Sequence, residues 1–395
     1  MTRRGVLAVA SAAITLVSGL AAASPVAALS ATGAVHSKRV CAVQPAGYVA
    51  CDAHVVTDAN LQPLATTTYQ SGYKPAQLLT AYGLTSANPT TTVAIVDAYA
   101  NPNAASDLAA YRFQFGLGTA TLTQYNQSGG SISTVSGNTG WGQEEMLDLE
   151  MVSAICPSCK LLYVGANSAS FTDLAAAVDM AQKQGATVIS NSYGGNEFSG
   201  EVSIAMHYNK PGIAITVSSG DSGYGAQAPA VFNTVTAVGG TTLTLNSDNT
   251  RNNETVWSGA GSGCSAYISK LSWQNDKATC SRRTVADVAA VADPATGVAV
   301  YDSYGSTGGA NWMVFGGTSV AAPIIGAVYA LSGNTGGIPA SLAYSPPSGS
   351  LFDVTSGSNG RCVRGKNTSG AYLCTGGYGY DGPTGNGTPK GTGAF

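Results

Sequence analysis

Charged residues are scarce in this chain. Lys, Arg, Asp and Glu make up 10% of its 395 residues, against roughly 25% in an average soluble protein. The net charge is -3 and no run of Lys or Arg occurs, so the sequence offers no electrostatic surface for nucleic acid. A chain with so few charges also has few ion pairs to lose when its carboxylates become protonated, which favours tolerance of acid.

Histidine is scarcer still, because His36, His54 and His207 are the only three. None of them lies in a Gly-rich His-Gly-Thr-His type of context, where a serine hydrolase could carry its usual base. A serine nucleophile in this chain would therefore need a carboxylate as its general base. Because carboxyl groups ionise at lower pH than imidazole, the sequence indicates chemistry in acid.

Long apolar runs are absent except at the N-terminus. Arg3 and Arg4 precede a mostly apolar run, residues 5–23, and small residues continue to Ala28. This pattern predicts a secretory signal peptide over residues 1–28, and a mature protein that is secreted to the extracellular medium. Polar residues interrupt the run, so a membrane anchor is the less favoured alternative and no membrane association is expected after signal removal.

Eight cysteines in an exported chain predict disulfide bonds. Eight cysteines formally allow 105 connectivities, but these fall into four close sequential pairs, for which we expect nearest-neighbour bonds. The two closest cysteines could alternatively form a redox pair or half of a zinc site, although no second pair has their spacing. The expected bonds are Cys41 to Cys51, Cys156 to Cys159, Cys264 to Cys280 and Cys362 to Cys374.

The chain organisation predicts a single catalytic domain over residues 72–395. Residues 29–71 contain one cysteine pair and few helical periods, which indicates a short pro-segment or N-terminal extension. From Gly72, short continuous apolar runs alternate with helical segments, as in an α/β fold with a mainly parallel sheet and helices on both faces. The predicted elements are strand 92–96, helix 103–115, helix 142–155, strand 160–164, helix 171–184, strand 187–190, helix 202–208, strand 213–217 and helix 318–332.

Two carboxylates, Glu144 and Asp148, stand four residues apart on the predicted helix 142–155. Residues with this spacing meet on one helix face, and the apolar side chains that continue this stripe turn it inward. Paired carboxylates share a proton, which suits acid-base chemistry. The alternative is that acids in a first helical turn only complement the helix dipole, as we expect of Glu145.

Two further segments carry candidate catalytic residues. Ser319 follows Gly316-Gly317-Thr318 at the predicted start of helix 318–332, where N–H groups could bind a developing oxyanion. Asp221 lies in Ser218-Ser219-Gly220-Asp221-Ser222-Gly223, directly after a predicted strand, and the carboxyl ends of parallel strands are where ligands collect. Taken alone, each segment could equally be a helix cap or a turn.

Together these segments resemble the sedolisin family, the serine-carboxyl peptidases, which have a subtilisin-like fold. The resemblance extends from about Gly72 to the C-terminus. It implies that Glu144 is the base, Asp148 its partner, Asp221 an acid that stabilises the oxyanion, and Ser319 the nucleophile. It also implies a serine-type endopeptidase that hydrolyses polypeptides at acidic pH, and we expect this peptidase to be monomeric.

The resemblance further implies one structural calcium ion near the C-terminus. Its ligands would be the carboxylates of Asp353 and Asp381 with the carbonyl oxygens of Val354, Gly377 and Gly379, and hard oxygen ligands of this kind suit Ca2+.

Two alternatives remain open, and so does the activation route. One is a subtilisin-like serine protease, because Asp97 stands where subtilisins place their triad acid, although no histidine motif follows it. The other is a catalytically silent binding protein on the same fold. The pro-segment is also shorter than the pro-domain usual in the family, which leaves the activation route undetermined.

Overall fold

A computed structural model describes residues 1–2, 35–85, 90–276, 280–306, 308–334, 336–362 and 370–395. The predicted signal peptide lies outside the described residues, apart from its first two. Residues Ala34–Phe395 form one compact unit. No helix in the described ranges is long and apolar enough to cross a membrane.

Six α-helices and eighteen strands are seen in the described ranges. The helices are α1 (Pro75–Ala81), α2 (Ala104–Gln114), α3 (Thr139–Ile155), α4 (Phe171–Lys183), α5 (Glu201–Ala205) and α6 (Thr318–Ser332). The strands are β1 (His36–Arg39), β2 (Ala50–Cys51), β3 (His54–Thr57), β4 (Thr92–Ala98), β5 (Leu122–Asn126), β6 (Lys160–Ala166), β7 (Val188–Asn191), β8 (Tyr193–Gly194), β9 (Ala214–Ser218), β10 (Thr236–Leu245), β11 (Arg251–Val256), β12 (Gly263–Ser269), β13 (Arg282–Val285), β14 (Val288–Val291), β15 (Val298–Tyr301), β16 (Trp312–Gly316), β17 (Leu351–Phe352) and β18 (Thr388–Pro389). Short 3-10 helices cover Ile132–Thr134, Met206–Tyr208, Pro294–Thr296, Pro339–Tyr344 and Ala371–Leu373.

The central sheet has the order β11-β10-β9-β7-β4-β6-β5, and β14 also pairs with β10. All of its strand pairs are parallel except β10 with β11. Helix α6 packs on β7, β9, β10 and β14 and against α3, whereas α4 packs on β4 and β6. The strands between these helices are buried along almost their whole length because both faces of the sheet are covered, which confirms the predicted α/β class.

A second, four-stranded sheet has the order β1-β3-β16-β15 and is antiparallel throughout. It joins the segment near the N-terminus to β16, the strand that directly precedes α6. A separate short antiparallel pair joins β2 to β8. Both contacts lie at the end of the central sheet where α6 begins, and they position residues 36–57 beside Ser319.

The predicted elements agree with the structure to within a few residues, with one consequential difference. Helix α3 begins at Thr139, three residues before the predicted start, because the Asn138 side chain accepts a hydrogen bond from the N–H of Trp141 at 3.1 Å. Glu144 and Glu145 therefore lie beyond the first turn. The prediction that Glu145 complements the helix dipole is wrong, since its carboxylate is buried and accepts the N–H of Asn101 at 2.7 Å.

All four predicted disulfide bonds are present. The bond between Cys41 and Cys51 closes the loop that connects β1 to the β2 region. The bond between Cys156 and Cys159 follows the end of α3. Each pair is local in sequence, so the bonds fix loops rather than join distant parts of the fold.

Candidate active site

Ser319 is the second residue of α6 and is fully buried. The turn before it requires glycine at Gly317, whose φ is +107°. A Cβ there would overlap the carbonyl oxygen of Asp52 and lie 2.6 Å from Oδ2 of Asp221. The Ser319 hydroxyl donates to the carbonyl oxygen of Ser192 at 3.2 Å, and the Ser319 N–H donates to the carbonyl oxygen of Asp52 at 3.0 Å.

Helix α3 brings Glu144 and Asp148 to Ser319, because α3 packs against α6. Both carboxylates are fully buried. The Ser192 hydroxyl is a bifurcated donor to the two oxygens of Asp148, at 2.8 and 2.7 Å. Within the described part of the chain, neither oxygen of Glu144 has a well-formed hydrogen bond in this conformation. The Ser319 hydroxyl nevertheless lies close enough to Glu144 to lower the pKa of that carboxyl.

The two carboxyl groups titrate as a pair. Burial raises the pKa of Glu144 well above its ordinary value, and the charges of Asp148 and Asp97 raise it further. Burial and then the charge of Asp97 raise the pKa of Asp148, whereas the hydrogen bonds from Ser192 and the close approach of Glu144 lower it. Because two charges in one buried site repel each other, the pair retains a proton at pH values where isolated carboxyls have lost theirs.

Asp97, at the end of β4, is a third buried acid beside this pair. No described residue hydrogen-bonds either of its carboxylate oxygens. Burial raises the pKa of Asp97 to about 8. The electrostatic effects of Asp97 on Glu144 and Asp148 show that the three acids form one cluster.

Asp221 approaches Ser319 from the loop after β9. Its Oδ1 accepts the N–H and the hydroxyl of Thr318, both at 2.8 Å, and no described donor hydrogen-bonds its buried Oδ2. Burial raises the pKa of Asp221 well above its ordinary value, and the nearby charge of Asp52 raises it further. A carboxyl group that stays protonated in this position can donate a hydrogen bond from Oδ2.

The histidines take no part in the contacts of the Ser319 hydroxyl. His54 Nε2 lies 3.7 Å from Asp221 Oδ2, and burial followed by the charge of Arg39 lowers the pKa of His54 to about 4. His207 pairs instead with Asp179 at 2.7 Å. The acid-base groups beside Ser319 are therefore carboxyls, and the arrangement suits acyl transfer with a carboxyl base and a carboxyl oxyanion donor.

Several polar residues at the site escaped the sequence analysis. The side chain of Asp52 is buried there, and its Oδ2 accepts the Ser218 hydroxyl at 2.8 Å and the Gln227 amide at 2.6 Å. Arg39 lies 3.7 Å from its Oδ1. The sequence carries no periodic signal for the contacts of Asp52 with Ser218 and Gln227, because these residues lie more than 150 positions after Asp52 in the chain.

The five residues of the expected calcium site come from two segments near the C-terminus. Asp353 Oδ2 accepts the N–H of Gly379 at 2.9 Å, and Asp381 Oδ2 accepts the N–H of Gly377 at 3.0 Å. Burial raises the pKa of Asp381 to about 7, and the charge of Asp353 contributes to this shift. No described donor hydrogen-bonds the carbonyl oxygens of Val354, Gly377 or Gly379. Two close carboxylates with free carbonyls nearby fit the oxygen donor set that Ca2+ prefers.

Comparisons with known proteins identify the family of this chain. The model of the Subtilase family matches residues 117–338. Sedolisin from Pseudomonas sp. (strain 101) is 32% identical over 80% of this chain, and kumamolisin from Bacillus sp. (strain MN-32) is 28% identical over 72%. These alignments span 60% and 56% of the length of those two relatives.

A solved structure of Pseudomonas sedolisin, described as a serine-carboxyl proteinase in complex with pseudo-iodotyrostatin, superposes with a TM-score of 0.69. It is 28% identical, and the match covers 82% of this chain and 96% of that one. The resemblance predicted from the motifs is therefore confirmed. The chain belongs to the subtilase family, and within that family it is similar to the serine-carboxyl peptidases sedolisin and kumamolisin.

Proposed function

We propose that this protein is a secreted, monomeric serine-carboxyl endopeptidase that hydrolyses polypeptides at acidic pH. The observation that carries the proposal is the convergence of Ser319 with three buried carboxyls, namely Glu144 and Asp148 from α3 and Asp221 from the loop after β9. Four disulfide bonds support an extracellular location.

In the proposed acylation step, Glu144 accepts the proton of Ser319 while the Ser319 oxygen attacks the substrate carbonyl carbon. Asp148 shares one proton and one negative charge with Glu144. The Ser192 hydroxyl fixes the orientation of the Asp148 carboxylate. The proton then passes from Glu144 to the leaving amine. A water molecule hydrolyses the acyl-enzyme by the same route in reverse.

The oxyanion of the tetrahedral intermediate would be stabilised by the Ser319 N–H and by protonated Asp221. Thr318 fixes the Asp221 carboxyl through its N–H and hydroxyl, which leaves Oδ2 directed towards Gly317 and the reacting centre. A charged Asp221 would repel the oxyanion, so this role requires the raised pKa of Asp221. The pH dependence of hydrolysis would then be set by the pKa values of Glu144, Asp148 and Asp221.

The subtilisin-like alternative would require an imidazole between Asp97 and Ser319. Glu144 is the group that interacts with both residues. The charge of Asp97 raises the pKa of Glu144, and the Ser319 hydroxyl lowers it. His54 lies instead against Asp221. The carboxyl mechanism is the one that the described contacts favour.

We also propose that Asp353, Val354, Gly377, Gly379 and Asp381 bind one structural Ca2+ ion. When bound, the ion would compensate the two carboxylates and cross-link segment 353–354 to segment 377–381. It takes no part in the proposed chemistry.

The function is tested by incubating the purified protein with a mixed peptide library near pH 4 and identifying products by mass spectrometry. Ser319→Ala should abolish cleavage while the melting temperature stays close to that of the wild type. Ser203→Ala, which removes an exposed hydroxyl on α5, is the matched control and should leave the rate unchanged. Wild-type turnover by folded Ser319→Ala would remove Ser319 as nucleophile, and a wild type without turnover would favour a binding protein.

A further inference from the structure

The loop that carries Asp221, residues 219–225, lies outside the helices and strands. We call it the Asp221 loop. One end is fixed at the active site, where the N–H of Gly220 donates to the Thr318 hydroxyl at 3.1 Å. Glycine occupies three of its seven positions, and a backbone rich in glycine has many accessible conformations when it is free. The place of the Asp221 carboxyl therefore depends on what holds this loop from outside.

A second loop, residues 259–262, packs against the Asp221 loop along its length. Three main-chain hydrogen bonds of 2.7 to 2.8 Å join the two loops, from Gly261 to Gly220, from Gly223 to Gly259 and from Gly225 to Ser262. Because the contact is made by backbone at both its ends and its middle, a shift of the 259–262 loop would also shift the Asp221 loop.

The side chain of Asn359 holds the 259–262 loop. Asn359 is 3% exposed. Its amide nitrogen donates to the carbonyl oxygen of Ala260 at 2.6 Å and to the hydroxyl oxygen of Ser262 at 2.7 Å. The Ser262 hydroxyl in turn donates to the carbonyl oxygen of Leu373 at 2.6 Å. One primary amide therefore uses both of its N–H donors to fix this loop.

The main chain of Asn359 holds the Asp221 loop directly. The carbonyl oxygen of Asn359 accepts the N–H of Tyr224 at 2.9 Å. A Cβ on Gly223 would lie 2.5 Å from the same carbonyl oxygen, so glycine is needed there for the close approach. Asn359 thus contacts both the loop that carries Asp221 and the loop that packs on it.

The segment around Asn359 is anchored to the rest of the fold. The N–H of Val256, at the end of β11, donates to the carbonyl oxygen of Ser356 at 2.9 Å, and the N–H of Asn359 donates to the carbonyl oxygen of Cys374 at 3.0 Å. The disulfide bond between Cys362 and Cys374 cross-links the chain that follows. A segment tied to the central sheet and cross-linked in this way is a rigid support for the Asp221 loop.

We propose that Asn359 is a positioning residue for hydrolysis, which acts through the Asp221 loop and fixes the place of the Asp221 carboxyl in the oxyanion site. The proposal rests on the peptidase function proposed above. An oxyanion donor must lie within hydrogen-bonding distance of the developing charge, and a displacement of about 1 Å can lower the rate about 100-fold. Asn359 itself does not contact the reacting atoms.

The test compares Asn359→Ala with the wild type on one unstructured peptide, with kcat, KM and thermal unfolding measured between about pH 3 and pH 7. The variant's kcat should fall about tenfold, and KM should change by a smaller factor. The alkaline limb should move to lower pH, because a loosened loop admits water to Asp221, whose pKa is raised chiefly by burial. The titratable groups that face Asp221 are Asp52, Arg39 and His54, and the substitution changes none of them.

Asn359→Asp tests the two donated hydrogen bonds with a side chain of nearly the same shape. A protonated carboxyl can donate one hydrogen bond to Ala260 or Ser262, whereas a carboxylate can donate none. The ratio of its kcat to that of the wild type should therefore be highest in acid and fall as the new carboxyl ionises. This variant also tests the proposal if Asn359→Ala does not fold. A ratio that is independent of pH would overturn the role assigned to the amide.

Asn386→Ala is the control, because Asn386 is a partly buried asparagine of the same C-terminal part of the chain. Its amide donates to the carbonyl oxygen of Asp287 at 3.2 Å, away from the Asp221 loop. It should lower the melting temperature and leave kcat and the alkaline limb unchanged.

The same behaviour in Asn359→Ala would show that Asn359 only supports the fold, which would overturn the inference and leave the peptidase function intact. A rise of KM at unchanged kcat would also overturn it, because the loop would then serve substrate binding alone. Absence of hydrolysis by the wild type would overturn the peptidase function and this inference together.

Discussion

Glu144 and Glu145 are adjacent in the sequence, yet they face different surroundings on α3. Glu145 accepts the N–H of Asn101 at 2.7 Å and the amide of Gln124 at 3.4 Å, which is a structural role. Glu144 faces Asp148 and Ser319 and has no described structural hydrogen bond. A buried acid without a structural partner beside a serine hydroxyl is typical of a catalytic group.

This difference predicts opposite effects of two isosteric substitutions. Glu144→Gln should lower kcat about 100-fold to 10,000-fold, because an amide cannot accept the Ser319 proton. Glu145→Gln should retain most of kcat and lower the melting temperature, because its amide pairs less well with the Asn101 N–H. The measurement is kcat on one peptide substrate, together with thermal unfolding of each variant. Equal losses of kcat would place the base elsewhere on α3.

Gln227, whose amide lies beside Ser319 through its hydrogen bond to Asp52, gives a second prediction at the residue scale, concerning which peptides are cleaved fastest. If Gln227 recognises the side chain before the scissile bond, Gln227→Ala should lower kcat/KM about tenfold for peptides with Asp at that position. Peptides with Leu there should be less affected. Gln70→Ala, at an exposed position in a loop, is the matched control. A uniform loss over both peptides would indicate that Gln227 only supports the fold.

At the scale of elements, the sequence predicted those parts of the site that lie on regular structure. The spacing of Glu144 and Asp148 placed both on one inward face of α3 whatever the exact start of the helix. The start itself was missed, because Gly140 and Gly142 are poor helix formers. In the fold, Gly140 allows the carbonyl oxygen of Val40 to approach α3, which no local pattern reveals.

The position of residues 36–57 could not be predicted from the sequence. Strand β3 pairs with β16, which lies more than 250 residues later in the chain, and β2 pairs with β8. Short strands with such distant partners have no periodicity of their own. The pattern therefore predicted candidate catalytic groups but not the segment that lies beside Ser319.

The C-terminal segments give a prediction at the same scale. Stripping metal with a chelator at neutral pH should lower the melting temperature, because an ion that binds only the native state stabilises it by mass action. Asp353→Asn should reduce this effect of the chelator, whereas Asp248→Asn, at an exposed turn, should not. An unchanged melting temperature after verified stripping would contradict a structural calcium site.

For the whole molecule, buried acids dominate the electrostatics. Burial raises the pKa of Asp97 to about 8 and that of Asp302 to about 7, and it raises the pKa of Glu145 and Glu150 well above their ordinary values. The native state therefore binds more protons than the unfolded chain between the ordinary carboxyl pKa and these raised values. The contribution of these acids to the free energy of unfolding is therefore complete below the ordinary carboxyl pKa. It is lost as the pH rises through their raised pKa values.

The melting temperature should accordingly fall between about pH 4 and pH 8, by about 10 °C. Thermal unfolding of Ser319→Ala across this range measures the effect without interference from proteolysis. Asp97→Asn should flatten the curve, since it removes one of the acids that must lose its proton inside the fold. A melting temperature that rises towards pH 8 would mean that these acids are not held protonated.

The most direct test of the central claim is the pH dependence of kcat/KM for the purified protein on an unstructured peptide. The account predicts a maximum in acid and a fall of about tenfold per pH unit once Asp221 ionises, because its carboxylate repels the oxyanion. Asp221→Asn, which keeps a neutral donor, should lose less activity than Asp221→Ala and have its alkaline limb shifted upward. A maximum at pH 8 or above, with Asp221→Ala fully active, would contradict the serine-carboxyl mechanism.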